Sequence, residues 1–375
     1  MTFVLPPYPY DRVAVLGKLA AELPGGMVDC SIGTPCDPPP AAVVQALSSS
    51  DSERGYPASA GSAALLNAAA GWLERRFGLA TVPTSSVAAC VGTKEFVAGA
   101  PHFLRLRTPD KDTVLYPAVS YPSYAMGATL AGCRAVPVPA RPGELGGLDL
   151  DAIDPDDARR ALMLWSNSPS NPTGGLGDLG SEAAWGRRHG IPVFSDECYA
   201  EFTWSTEPQT ILSHGFDGVV AVHSLSKRSN LAGVRVGFFA GDPDIVDFLR
   251  EVRRHAGLMV PGPAQAAGAV ALADDDHVVA QRERYLERLT FLAEALTDFG
   301  VPVGVPDGGF YLWAPVPTAT WTDAWAMAED LATRAGLLVS PGDLYGDGGA
   351  GFVRIAVVQP MDRLRLVADR LAAAR

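Results

Sequence analysis

Between residues 87 and 240, short apolar runs alternate with longer amphipathic stretches, and this alternation constrains the fold more than any other feature of the chain. The runs are VAACV (87–91), TVLY (113–116), RAVPVP (134–139), ALMLWS (161–166), IPVFSD (191–196), GVVAVHS (218–224) and VRVGFFA (234–240). Runs this short are strand length, and the stretches between them have helical spacing. Strands alternating with helices make a mostly parallel sheet sandwiched by helices. Such a sheet takes its ligand at the carboxyl ends of its strands.

The pattern changes after about residue 243. Long helical patterns cover 243–257 and 278–299, short strands follow at 308–313, 336–340 and 351–358, and MDRLRLVADRLAAA closes the chain as a helix. This predicts a smaller α+β domain beside the first. At 375 residues the chain is long enough for both. The expected division is an N-terminal segment, 1–44, that contributes to the small domain, a large domain, 45–275, and a small C-terminal domain, 276–375.

Composition removes several function classes. The net charge of −12 argues against nucleic acid and anionic membranes as partners, although a local pocket can still be basic. No stretch of 18 apolar residues occurs, and MTFVLPPYPYDR has no basic region followed by an apolar one, so neither a membrane span nor a signal peptide is expected. Five cysteines without a C-x-x-C pair suggest reduced thiols in a cytoplasmic protein. Six dispersed histidines suggest no metal site. The glycines of YGDGGAG (345–351) match G-x-G-x-x-G, yet a strand-like run follows them where a dinucleotide site needs a helix.

Five motifs stand at the ends of predicted strands. In CVGTKEFVAG, Gly92, Thr93 and Lys94 lie between a strand and a helix, which suits an anion; a plain threonine cap is the alternative. In VSYPSY, Tyr121 is a core residue or a platform for a flat ring. NSPSNPTGG (167–175) is a rigid turn in which a cis bond is plausible, with Asn171 projecting from it. VFSDECYA ends a strand on Asp196, with Tyr199 three residues on: a helix cap, or a carboxylate aimed into the crevice. In SLSKRSNLAGVRVG, Lys227 follows Ser224 by three residues and precedes Arg235 by eight, a structural ion-pair site or an amine beside an anion. Each signal is weak alone. Together they describe one ligand with a phosphate, a flat ring, a ring nitrogen needing a carboxylate and an aldehyde needing a lysine, which is pyridoxal phosphate.

The ordered set Gly33, Tyr56, Gly92-Thr93-Lys94, Tyr121, Asn171-Pro-Thr-Gly, Asp196-x-x-Tyr199, Ser224-x-x-Lys227, Arg235 and Arg354 resembles the fold-type I aminotransferases of class I/II, from about Gly33 to Arg354. The resemblance implies that Lys227 bonds the cofactor and then carries a proton, and that Asp196 pairs with the ring nitrogen. Asn171 and Tyr199 would bond the ring oxygen, and Tyr121 would stack on the ring. Thr93, Lys94, Ser224 and Arg235 would hold the phosphate, and Arg354, with Gly33 and Asn171, the substrate. It implies a homodimer in which Tyr56 reaches the partner's cofactor phosphate.

The likeness is greatest to the N-succinyl-LL-diaminopimelate aminotransferases of bacterial lysine biosynthesis, which implies transfer between glutamate and an N-succinylated oxo acid. A broad glutamate-, aspartate- or alanine-type aminotransferase is the alternative. Glutamate and the N-succinylated oxo acid each carry a second carboxylate, for which Arg253, Arg254 and Lys94, or a group of the other subunit, are candidates. A lyase or decarboxylase would share every cofactor residue. A transcription regulator with an aminotransferase-like domain would carry a DNA-binding domain ahead of it.

Overall fold

A computed structural model describes residues 8–49, 51–52 and 54–374; the stretch MTFVLPP, read above for a leader, lies outside them. The chain forms two compact units. One comprises Asp37–Glu283 with Asp307–Gly309, and the other comprises the chain up to Cys36, Arg284–Pro306 and the chain from Phe310 on. Among the described residues no helix is long and apolar enough to cross a membrane.

The larger unit is built on a seven-stranded sheet. Its spatial order is Val87–Cys90, Gly237–Gly241, Val219–Ser224, Val193–Asp196, Ala161–Asn167, Thr113–Pro117 and Arg134–Val138. Gly237–Gly241 runs antiparallel to both neighbours, and the other pairings are parallel. Every residue of Ala161–Asn167 is buried, as expected of a strand covered on both faces. The helices are punctuated as their sequences suggest. Asp178 caps Leu179–His189 by accepting from Ser181 N at 3.0 Å, and Gly190 leaves that helix at φ 65°.

The parallel strands bring Cys90, Pro117, Asn167, Asp196 and Ser224 to one edge of the sheet. The antiparallel strand enters at that edge, since Gly237 lies opposite both Cys90 and Ser224. Here the structure corrects the sequence reading. The run 234–240 is not one strand: Ala232–Val234 is a 3-10 turn, Arg235 is left-handed at φ 60°, and extension starts only at Gly237. The turn lets the chain double back beside Ser224.

The smaller unit holds a three-stranded antiparallel sheet, ordered Ser340–Pro341, Phe352–Ala356 and Tyr311–Pro315, and a two-stranded parallel pair, Val28–Asp29 with Leu337–Leu338. The predicted strand 336–340 is thus two short strands in different sheets. The first residues join this unit by strand pairing, because Val28 and Asp29 need a partner for their backbone groups and find it at Leu337 and Leu338.

Helices Thr93–Arg107 and Ser123–Leu130 pack closely at Gly127, where a methyl group would lie 2.9 Å from the Val97 carbonyl oxygen and 3.1 Å from that of Ala98. Gly127→Ala should therefore destabilise the protein by about 1–3 kcal/mol through overpacking. Gly55→Ala, where no neighbour lies within 4 Å, should change stability by less than about 0.5 kcal/mol. Denaturant unfolding of both variants checks the pair, and equal stabilities would contradict the packing.

Candidate active site

Asp196 ends the strand Val193–Asp196 and is buried, with 7% of its surface exposed. Its carboxylate accepts from the Tyr124 hydroxyl at 2.9 Å and from the Cys198 backbone N–H at 3.2 Å. Burial pushes the acid above its ordinary range, while these two donors and the field of Lys227 pull it back. Lys227 also acts on the Cys198 thiol, so its ammonium lies within electrostatic reach of this strand end.

Asn167, last residue of the neighbouring strand, binds the turn together. Its side-chain N–H donates to the Asp196 carbonyl at 2.8 Å, and its oxygen accepts from the Asn171 N–H at 2.7 Å. The turn contains two cis bonds, Ser168–Pro169 and Asn171–Pro172. Asn171 and Tyr199 are both buried, Tyr199 at the start of the 3-10 turn Ala200–Phe202.

At the same edge Gly92, at φ 74°, opens the helix Thr93–Arg107. A methyl group on Gly92 would stand 2.1 Å from a terminal nitrogen of Arg235, so the guanidinium occupies the space that the glycine leaves. Arg235 donates to the Ala232 carbonyl at 2.9 Å. The Thr93 hydroxyl accepts from the Cys198 thiol at 3.3 Å. Ser224 caps the four-residue helix Leu225–Arg228, accepting from Ser226 N at 3.1 Å, and Lys227 is half-buried on that turn. This gathers a helix N-terminus, a guanidinium, hydroxyls, an amine and a buried acid at one sheet edge.

Tyr121 is half-buried, edge-on to Tyr124 with ring centroids 6.2 Å apart, and the exposed Lys94 ammonium lies 5.9 Å from its ring. Tyr56 is 98% exposed. Arg253 is buried and binds both Glu95 oxygens, at 2.7 and 2.8 Å, so it is committed within its own unit. Arg254 is exposed, 3.7 Å from Glu251. In the smaller unit, the buried Arg354 donates to the Ser31 carbonyl at 2.5 Å and lies over the rings of Tyr311 and Tyr345, at 4.4 and 4.6 Å. Gly33 belongs to the same cluster: a methyl group there would fall 2.2 Å from the Tyr311 hydroxyl.

Sequence reasoning missed Asn167 and Tyr124. Each lies within a motif already noted, and their signal was spacing: Tyr124 follows Tyr121 by three residues, one helical turn.

Asp196 permits a sign-specific prediction for the cofactor-free protein. A carboxyl raised in the folded state favours the protonated form there, so folding is penalised once pH exceeds the unfolded value of about 3.9. Asp196→Asn should therefore raise the melting temperature at neutral pH, and the gain should vanish below pH 3.8. Thermal unfolding at the two pH values checks this; a lower melting temperature at neutral pH would contradict it.

The sequence model of the class I and II aminotransferases matches residues 26–371. A 4-dedimethylamino-4-oxo-anhydrotetracycline transaminase of Streptomyces rimosus is 40% identical, over 98% of this chain and 99% of its own length. An LL-diaminopimelate aminotransferase of Aquifex aeolicus is 32% identical, over 98% of this chain and 96% of its own. Among solved structures, the "probable N-succinyldiaminopimelate aminotransferase" of Thermus thermophilus has a TM-score of 0.85 at 32% identity, covering 98% of this chain and 100% of that one. The chain belongs to the class I and II aminotransferases, fold-type I enzymes that depend on pyridoxal phosphate and act on amino and oxo acids.

Proposed function

We propose that the sheet edge around Asp196 and Lys227 holds pyridoxal phosphate, and that the protein moves an amino group between glutamate and a larger oxo acid. The observation that carries this reading is the buried Asp196, held by Tyr124 and Cys198 within the field of Lys227 at the edge of the sheet. A protonated ring nitrogen would pair with that carboxylate. The fit extends to the phosphate, because Arg235 against Gly92 and the start of the helix Thr93–Arg107 make an anion cradle.

When bound, the cofactor supplies an aldehyde for covalent attachment to an amine and a protonated ring that draws electron density from the carbon bearing it. The chain's own groups do the rest. Asp196 holds the proton on the ring nitrogen, and Tyr124 and the Cys198 N–H hold Asp196. Lys227 would hold the cofactor through its Nζ and would move a proton at the substrate carbon. Thr93, Lys94, Ser224 and Arg235 bind the phosphate, Asn171 and Tyr199 donate to the ring oxygen, and Tyr121 covers the ring. Arg354 would bind the substrate α-carboxylate, and Gly33 and Asn171 would also serve the substrate. In a homodimer the exposed Tyr56 would serve the partner's phosphate.

For the second substrate we favour N-succinyl-LL-2,6-diaminopimelate. Its support is the Thermus thermophilus structure of that printed name and the LL-diaminopimelate aminotransferase relative, each 32% identical. The 40% identity to the Streptomyces rimosus enzyme favours a second reading, in which the acceptor is a ring ketone.

A panel of amino donors with 2-oxoglutarate tests the proposal, with glutamate formation as the readout. The N-succinylated diamine should give the highest kcat/KM, and Arg354→Gln should lower kcat/KM for every α-amino acid alike by about 2–3 kcal/mol, the worth of a charged hydrogen-bonded contact. A preference for alanine or an aromatic donor would overturn the substrate. Absence of glutamate with every donor would overturn transamination with 2-oxoglutarate.

A further inference from the structure

Lys227 sits on a helix of four residues, Leu225–Arg228. One turn cannot hold its own shape, because helix nucleation is unfavourable and repaid only by length. Its placement must be imposed from outside, and the neighbouring Arg228 is where that happens. Arg228 is 3% exposed and its guanidinium makes five bonds. Nε donates to Glu201 at 2.9 Å, one terminal nitrogen to the Ala271 carbonyl at 2.5 Å and the Ser229 hydroxyl at 3.2 Å, and the other to the Asp274 carbonyl at 3.2 Å and the Asp275 carboxylate at 2.9 Å. These match the five donors that a guanidinium possesses.

Glu201 is the other half of the device. It is 6% exposed and accepts, besides Arg228, the Trp72 indole N–H at 2.8 Å and Arg76 at 2.6 Å. It follows Tyr199 by two residues and Asp196 by five. The pair thus links the segment carrying Asp196 and Tyr199 to the turn carrying Lys227, and anchors both to helices Ala63–Phe77 and Gly262–Ala273. A second buried contact runs parallel, with Glu197 lying 3.4 Å from His223, the residues adjoining Asp196 and Ser224.

We propose that Glu201 and Arg228 are positioning residues for transamination: their buried, forked ion pair fixes the spacing between Asp196 and Lys227, and with it the orientation of the cofactor. This rests on Lys227 being the cofactor-bearing lysine. It depends on the fork, not on charge alone, because an ammonium has three donors on a flexible stem and cannot reproduce five planar ones.

The test compares holoenzymes of the wild type, Arg228→Lys, Glu201→Gln and Leu104→Ala, the last being a buried residue on another helix that lowers stability without touching the pair. Melting temperature, the circular dichroism induced in the cofactor's visible band, kcat and KM are measured on each. Arg228→Lys and Glu201→Gln should change the induced band and lower kcat roughly tenfold to a hundredfold, as a misplacement of about 1 Å does, with KM altered far less. Leu104→Ala should lose melting temperature while keeping both the band and kcat. An Arg228→Lys enzyme with the wild-type band and kcat would overturn the inference, whether or not Glu201→Gln folds. Failure of Lys227→Ala to alter the wild-type band would overturn the underlying reading of Lys227, and this inference with it.

Discussion

A carboxyl group shut inside a protein must be protonated, hydrogen-bonded or faced by a cation. Asp196 meets that demand through Tyr124 and the Cys198 N–H, one donor to each carboxylate oxygen. The rest of the site is arranged around this buried acid. The parallel strand delivers the acid to the sheet edge, Asn167 ties the adjoining turn to the backbone of Asp196, and Lys227 supplies a positive field. In the proposed reading, a protonated pyridine adds the cation that two neutral donors do not supply.

The same edge explains why the proposed anion cradle lies beside Gly92. Only one strand in the sheet runs backwards, and its entry beside Cys90 and Ser224 brings Arg235 up against Gly92. A left-handed arginine is an uncommon conformation for a residue with a side chain. Here it turns the chain from the Lys227 segment into that antiparallel strand. Backbone geometry and ligand chemistry are served by one residue.

Much of this was legible in the residues because its causes are local. Apolar runs of strand length, glycines at helix ends and proline-rich turns follow period and turn chemistry, and the positions of Thr93, Tyr121, Asn171, Asp196 and Ser224 follow from standing at or shortly after the ends of such runs. What was hidden depended on pairing across the sheet. The run 234–240 reads as continuous strand, because nothing in its hydropathy reports the left-handed Arg235. Leu337–Leu338 and Ser340–Pro341 read as one strand, because their separation is decided by two different partners. Tyr124 and Asn167 were passed over since their importance lies in what they touch, and Arg253 was offered for a substrate carboxylate although Glu95, on another helix, already claims it.

The central claim is that Lys227 is the amine that holds the cofactor. The most direct measurement is borohydride reduction of the holoenzyme, followed by proteolysis and mass spectrometry of the modified peptide. The account predicts a single pyridoxyl group on Lys227; a pyridoxyl group on Lys94 instead would contradict it.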